Sequence, residues 1–207
     1  MSTTHDTKQY AITLTYKCNW NCSYCAVRNS VDYKPAVTVS DVLDKINQIE
    51  DGSIVTLFGG EPGILDRDVL ELYISELKSK RCTLKLETNG LFLHKYPELC
   101  SNFQSIVYHC SEDLEEYEVF GFNHPDVTYM LIIHDQNINR LEKFLEINSH
   151  IEKFYIVEAT YPHEITGPTL SKQNKNHLLT KFCKHMTPES IKRLIKGHDF
   201  SGIIFMT

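Results

Sequence analysis

Residues 53–90 read SIVTLFGGEPGILDRDVLELYISELKSKRCTLKLETNG, and this stretch decides the fold. SIVTLF (53–58) is a short apolar run bounded by the Gly59-Gly60-Glu61-Pro62 breaker, which marks a buried strand. Asp66 then stands where a helix cap belongs, and Val69, Leu70, Tyr73 and Leu77 recur on one helical face up to about Lys80. CTLKLE (82–87) alternates with period two and ends on the turn signal Thr88-Asn89-Gly90. Strand, helix and strand without a hairpin turn make a parallel βαβ unit.

The pattern extends in both directions. QYAITLTYK (9–17) alternates and is rich in β-formers, so it is a strand. SDVLDKINQIE (40–50) places Leu43, Ile46 and Ile49 three apart behind Ser40, which is expected to cap a helix. Downstream, a short helix is expected over 92–100 and strands over 105–110, 127–133 and 153–159. Asn137 is expected to cap a helix that turns Ile138, Leu141, Phe144 and Leu145 inward. No two-residue hairpin turn interrupts the series, so six βα units follow one another. The tail differs: 161–181 is polar and loop-like, a helix starts at Thr187-Pro188 and ends at Gly197, and 202–206 is a last strand or a docking segment.

The chain has 207 residues, 42% hydrophobic and 23% charged, which suits one globular domain. An eight-unit α/β barrel typically takes about 250 residues. The formal charge is −6 with no basic run, which disfavours sequence-independent binding to nucleic acid. A local basic patch remains around Lys172, Lys175, Lys181 and Lys184. The polar start MSTTHDTKQY has no signal-peptide pattern, and no apolar run nears the ~20 residues that span a bilayer. A cytoplasmic protein away from membranes is therefore expected.

Seven cysteines lie at 18, 22, 25, 82, 100, 110 and 183. Three crowd at the end of the first strand as Cys18-x3-Cys22-x2-Cys25, a spacing that lets three thiolates converge on one centre. A [4Fe–4S] cluster usually takes four cysteines, so a triplet leaves one iron open to another ligand. The triplet also fits part of a zinc site or a set of free thiols.

CNWNCSYC (18–25) resembles the CxxxCxΦC signature of the radical S-adenosylmethionine (SAM) superfamily, with Tyr24 in the aromatic place. Gly59-Gly60-Glu61-Pro62 looks like its GGEP motif, whose backbone meets the methionyl amino group of SAM. Glu87-Thr88-Asn89-Gly90 looks like its TNG turn, which shapes the SAM pocket. Ser111-Glu112-Asp113 is similar to the segment whose serine touches the SAM carboxylate or ribose, although Glu112 replaces an apolar residue there. Every motif ends a strand.

The resemblance covers roughly 9–160 and implies a partial (βα)6 TIM-like barrel with parallel strands. Residues 161–207 lie beyond it, as a C-terminal extension that is a candidate substrate cap. It implies Cys18, Cys22 and Cys25 as cluster ligands. It implies Tyr24, Gly59, Gly60, Glu61, Pro62, Thr88, Asn89 and Ser111 around the cofactors. By similarity, SAM chelates the open iron, and an electron from the cluster releases methionine and a 5′-deoxyadenosyl radical that takes a hydrogen atom from a substrate. The electron donor would be an external protein such as flavodoxin or ferredoxin.

The substrate is less legible. A short, open barrel favours a peptide or protein, while a nucleotide or other small molecule under 161–185 is the alternative. Activators of glycyl-radical enzymes carry the same triplet. A non-catalytic metal-binding or electron-transfer module is the competing class, and it has no need of GGEP. Candidates to face the substrate are His109, Cys110, Glu158 and Tyr161. Strict alternation forbids His109 and Cys110 from both pointing inward. Cys82, Cys100, Cys110 and Cys183 are too scattered to announce a second cluster.

Overall fold

The computed structural model describes residues 7–25, 37–110, 114, 126–152, 154–159, 171–188 and 191, and the backbone of 203–206. The chain gathers into two compact units. One takes residues up to Asn19, Lys34–Ile106 and Phe200–Thr207; the other takes Trp20–Tyr33 and Val107–Asp199.

The first unit is built on strands β1 (Gln9–Thr13), β2 (Ile54–Phe58), β3 (Thr83–Thr88) and β7 (Ile203–Met206). Their order is β3-β2-β1-β7, and each pair is parallel. β1 is buried along Tyr10–Thr13 because it has neighbours on both edges. The tail segment expected at 202–206 is therefore a strand. In β2 and β3 burial alternates, with Val55, Leu57, Leu84 and Leu86 in the core.

Helix α1 (Val39–Gln48) buries Val42 and Ile46, and helix α2 (Arg67–Ser79) buries Leu70, Tyr73, Ile74 and Leu77. Each such side chain contributes about 1.5–3 kcal/mol. The cap of α1 is Thr38, not the expected Ser40. Asp41 lies three residues after Thr38, and the two exchange side-chain-to-backbone hydrogen bonds in a capping box, which Ser40 has no partner to build. Asp66 does precede α2, but its side chain makes no cap hydrogen bond. The helix expected at 92–100 is two pieces, α3 (Leu91–Lys95) and a 3-10 turn at Pro97–Asn102, because Pro97 cannot continue a helical ladder.

Strand β4 (Ser105–His109) straddles the boundary between the units. In the second unit β5 (Val127–Ile133) and β6 (Tyr155–Glu158) pair in parallel. Tyr108, Tyr129, Phe154 and Phe144 meet in successive tilted and edge-on ring contacts 5.6–6.3 Å apart, with Tyr108, Phe144 and Phe154 buried in its core. Helix α4 (Leu141–Ile147) buries Leu141, Phe144 and Leu145. Asn137 does not cap it: its Oδ1 accepts from the His134 N–H (2.9 Å) and its Nδ2 donates to the Ile132 carbonyl (3.0 Å), closing the turn after β5.

The expectation of a loop over 161–181 fails for Lys172–Phe182, which form helix α5. Its polar sequence KQNKNHLLTKF hides the helix, but Leu178 and Phe182 give it a buried anchor pair four residues apart. Ser171 caps it by accepting from Asn174 N–H, and Asp135 accepts from Ser171 N–H (2.8 Å) and Asn174 Nδ2 (2.9 Å). The helix expected at Thr187-Pro188 begins with an Ile191 N–H to Thr187 carbonyl bond (3.2 Å), and the remainder lies outside the described residues. No described helix is long and apolar enough to cross a membrane.

Candidate active site

Because β1, β2 and β3 run in parallel, the segments that follow them share one edge of the first unit. These segments carry Cys18, Gly59–Pro62 and Thr88–Gly90.

Gly59 and Gly60 have φ of 91° and 45°, which favour glycine. A Cβ on Gly59 would lie 2.5 Å from Thr13 Cγ2, and one on Gly60 would lie 2.1 Å from the Lys17 carbonyl oxygen. The glycines therefore let this turn lie against the exit of β1, the stretch that leads into Cys18. Glu61 N–H donates to the Lys17 carbonyl (2.8 Å) and fastens that contact.

The Glu61 side chain is fully buried. Oε1 accepts from Gly63 N–H (2.7 Å) and Phe92 N–H (3.1 Å), Oε2 accepts from Asn89 N–H (2.7 Å), and the Thr88 hydroxyl donates to both oxygens (2.8 and 3.0 Å). Burial, the largest influence, pushes its carboxyl above the ordinary glutamate value, and those donors pull it back. The carboxylate thus staples the GGEP turn to the TNG turn and to the start of α3. The acid itself is turned inward, so this edge offers the turn's backbone rather than its carboxylate. Thr88 is held in that staple, and Pro62 is buried in the 3-10 turn that follows.

Asn89 carries a second set of contacts. Its Oδ1 accepts from Leu91 N–H (3.2 Å), which fixes the orientation of the amide. Its Nδ2 is then directed to Asn19 Oδ1 (2.8 Å) and to Cys18 Sγ (3.6 Å).

The cysteines sort by environment. Cys18 is exposed, Cys22 and Cys25 are half-buried, and none of the chain's cysteines is in a disulfide. Cys82, Cys100 and Cys110 are buried. Burial raises all three thiols, that of Cys100 to about 12. Among the described residues no three His, Cys, Asp or Glu side chains are gathered closely enough to hold a metal ion. The fit to a cluster therefore rests on the donor set: three accessible sulfurs within eight residues, against buried thiols that resist ionisation. Metal sites commonly take their final geometry as the metal binds.

In the second unit, Tyr24 lies 6.4 Å, ring to ring, from His134 at a tilt of 57°. Sequence reasoning missed His134, which is buried directly after β5 with Nδ1 accepting from Gln136 N–H (3.3 Å). The available signal was a lone histidine directly after the apolar run VTYMLII. His109 is half-buried. Cys110 is buried, with its N–H on the Met130 carbonyl (2.8 Å). Glu158 pairs with Lys175 (3.1 Å), and Lys181 pairs with Glu142 (2.8 Å), so two lysines of the basic patch are neutralised. Ser111 and Tyr161 lie outside the described residues.

Residues 12–111 match the family model of the radical SAM superfamily. No curated protein sequence matches the chain. Among solved structures, the chain is similar to a polyhistidine-tagged form of anSMEcpe with bound AdoMet, at 15% identity and TM-score 0.59, covering 84% of this chain and 58% of that one. It is likewise similar to "Native anSMEcpe with bound AdoMet and Cp18Cys peptide" at 14% identity and TM-score 0.57, covering 83% and 58%. The likeness bears out the expected parallel α/β partial-barrel fold. This chain spans less than two thirds of the length of those solved chains.

Proposed function

We propose, for a chain whose residues 12–111 match the radical SAM superfamily model, that it is a radical SAM enzyme acting on a peptide or protein. Its cofactors are those of the superfamily, a [4Fe–4S] cluster and SAM. Together they supply a 5′-deoxyadenosyl radical able to take a hydrogen atom from an unactivated carbon.

The observation that carries the reading is the shared edge of the first unit, where Cys18, the GGEP turn and the TNG turn follow three adjacent parallel strands. Cys18, Cys22 and Cys25 would hold the cluster. Gly59 and Gly60 present backbone to the methionyl end of SAM, and Glu61 fixes the course of that backbone from beneath. Thr88 serves the same staple. Tyr24, next to the last thiolate, is kept as a cofactor contact on the resemblance, and its ring rests near His134. Ser111 is kept as a SAM contact on the resemblance alone. His109, Cys110, Glu158 and Tyr161 remain candidates to face the substrate.

The peptide reading draws on the similar solved chain that carries a bound Cp18Cys peptide. Electrons would come from a small redox protein of the flavodoxin or ferredoxin kind.

The test is anaerobic reconstitution with iron and sulfide, followed by dithionite and SAM. The expected result is 5′-deoxyadenosine that depends on all three cysteines. Cluster formation without any SAM cleavage, with and without a library of peptides, would overturn the enzymatic reading. Zinc co-purifying in place of iron would overturn the cluster itself.

A further inference from the structure

We infer that Asn89 is a positioning residue that sets the reduction potential of the cluster by donating an N–H hydrogen bond to the sulfur of Cys18. The inference rests on the reading of Cys18 as a cluster ligand.

Three observations converge on it. The Asn89 backbone is pinned, because its N–H is held by the buried Glu61 carboxylate at 2.7 Å. The side-chain amide is oriented, because Oδ1 accepts from Leu91 N–H at 3.2 Å, leaving Nδ2 to face outward to the cysteine loop. That Nδ2 has two hydrogens and two acceptors: Asn19 Oδ1 at 2.8 Å and Cys18 Sγ at 3.6 Å. An N–H aimed at sulfur at that distance is a hydrogen bond of ordinary length for so large an acceptor. Asn89 is itself nearly buried, so bulk water competes little for the donor.

The physical consequence is directional. Reduction adds an electron, and part of the added charge resides on the ligating sulfurs. A donor to one of those sulfurs stabilises the reduced state more than the oxidised one and raises the potential. Removing it makes the cluster harder to reduce. The same amide also joins Cys18 and Asn19 to the TNG turn, so the redox centre and the SAM-side backbone share one support running from Glu61 through Asn89 to Cys18.

The test is a mediated redox titration of the reconstituted protein at about pH 8, without SAM, read by the loss of visible absorbance. Asn89→Ala removes the donor and the acceptor for Leu91 N–H. Asn89→Asp keeps that acceptor and the shape, removes the N–H, and sets a negative charge beside the sulfur. The expected result is about a tenfold loss of reducibility in Asn89→Ala, equivalent to about 59 mV for one electron, with an equal or larger loss in Asn89→Asp.

A purely structural role predicts the opposite order, since Asp preserves the turn and Ala does not. An unchanged potential in Asn89→Asp with full iron content overturns the inference, as does loss of the cluster from both variants. Cys18→Ala separates the two levels. It should lose bound iron, and a Cys18→Ala protein that retains a full cluster would instead overturn the ligand assignment.

Discussion

Replacing Glu61 by alanine should be among the most destabilising single changes in the first unit. The carboxylate takes hydrogen bonds from four donors: the N–H groups of Gly63, Asn89 and Phe92, and the Thr88 hydroxyl. Each buried donor left without an acceptor costs about 1–3 kcal/mol. Four would reach roughly 4–12 kcal/mol, but water entering the vacated space meets some of them, and the variant no longer buries a charge. Breaking buried charged networks typically costs about 3–5 kcal/mol, and that is the expected loss here. Against a total stability of about 5–15 kcal/mol, it lowers the unfolding midpoint substantially. The assay is urea unfolding followed by circular dichroism, with Glu61→Gln alongside. Gln keeps one accepting oxygen but points an NH2 at donors, so about half the loss is expected. A loss below about 1 kcal/mol in Glu61→Ala would refute the staple and leave Glu61 available for the cofactor.

Gly60→Ala would drive its Cβ into the Lys17 carbonyl, so iron loading should fall together with SAM affinity, measured by iron content and equilibrium binding. Iron content unchanged with SAM affinity lost would instead mean that the glycine serves ligand approach alone. A small alkylating reagent on the metal-free protein should label Cys18 and Cys183 first, and Cys100 and Cys110 only on unfolding, as read by peptide mass spectrometry. Hydrogen bonds from Ser171 and Asn174 hold the Asp135 carboxyl below the ordinary aspartate range. A depressed folded value gives stability that is present above the ordinary range and lost as pH falls through the folded value. Protection of the Ser171 amide, which donates to Asp135, corrected for intrinsic exchange, should therefore weaken as pH falls below about 4, and Asp135→Asn should remove that pH dependence.

Much of the fold was legible in order along the chain. Strand β5 matches its expected span to the residue, because VTYMLII is a continuous run of β-formers. β2, β3 and β4 agree within a residue at each end. The match of residues 12–111 to the radical SAM family model was legible too, since CNWNCSYC, GGEP and TNG are local patterns whose chemistry depends on spacing along the backbone. Helix α5 was not legible, because only Leu178 and Phe182 anchor it, and its N-terminus is held by Asp135, which is 36 residues from Ser171.

The roles inside the site were also beyond reach. A glutamate after two glycines reads as a charge offered to a ligand, yet tertiary structure turns it inward onto donors 27 to 31 residues away. An asparagine in a turn reads as a turn former, yet its amide reaches a cysteine 71 residues earlier. Periodicity and spacing report which way a backbone runs and which thiols can meet. They carry no information about hydrogen bonds between segments, because those depend on which strands become neighbours. Parallel pairing of β1, β2 and β3 put the three loops on one edge, and that juxtaposition alone decided what Glu61 and Asn89 do.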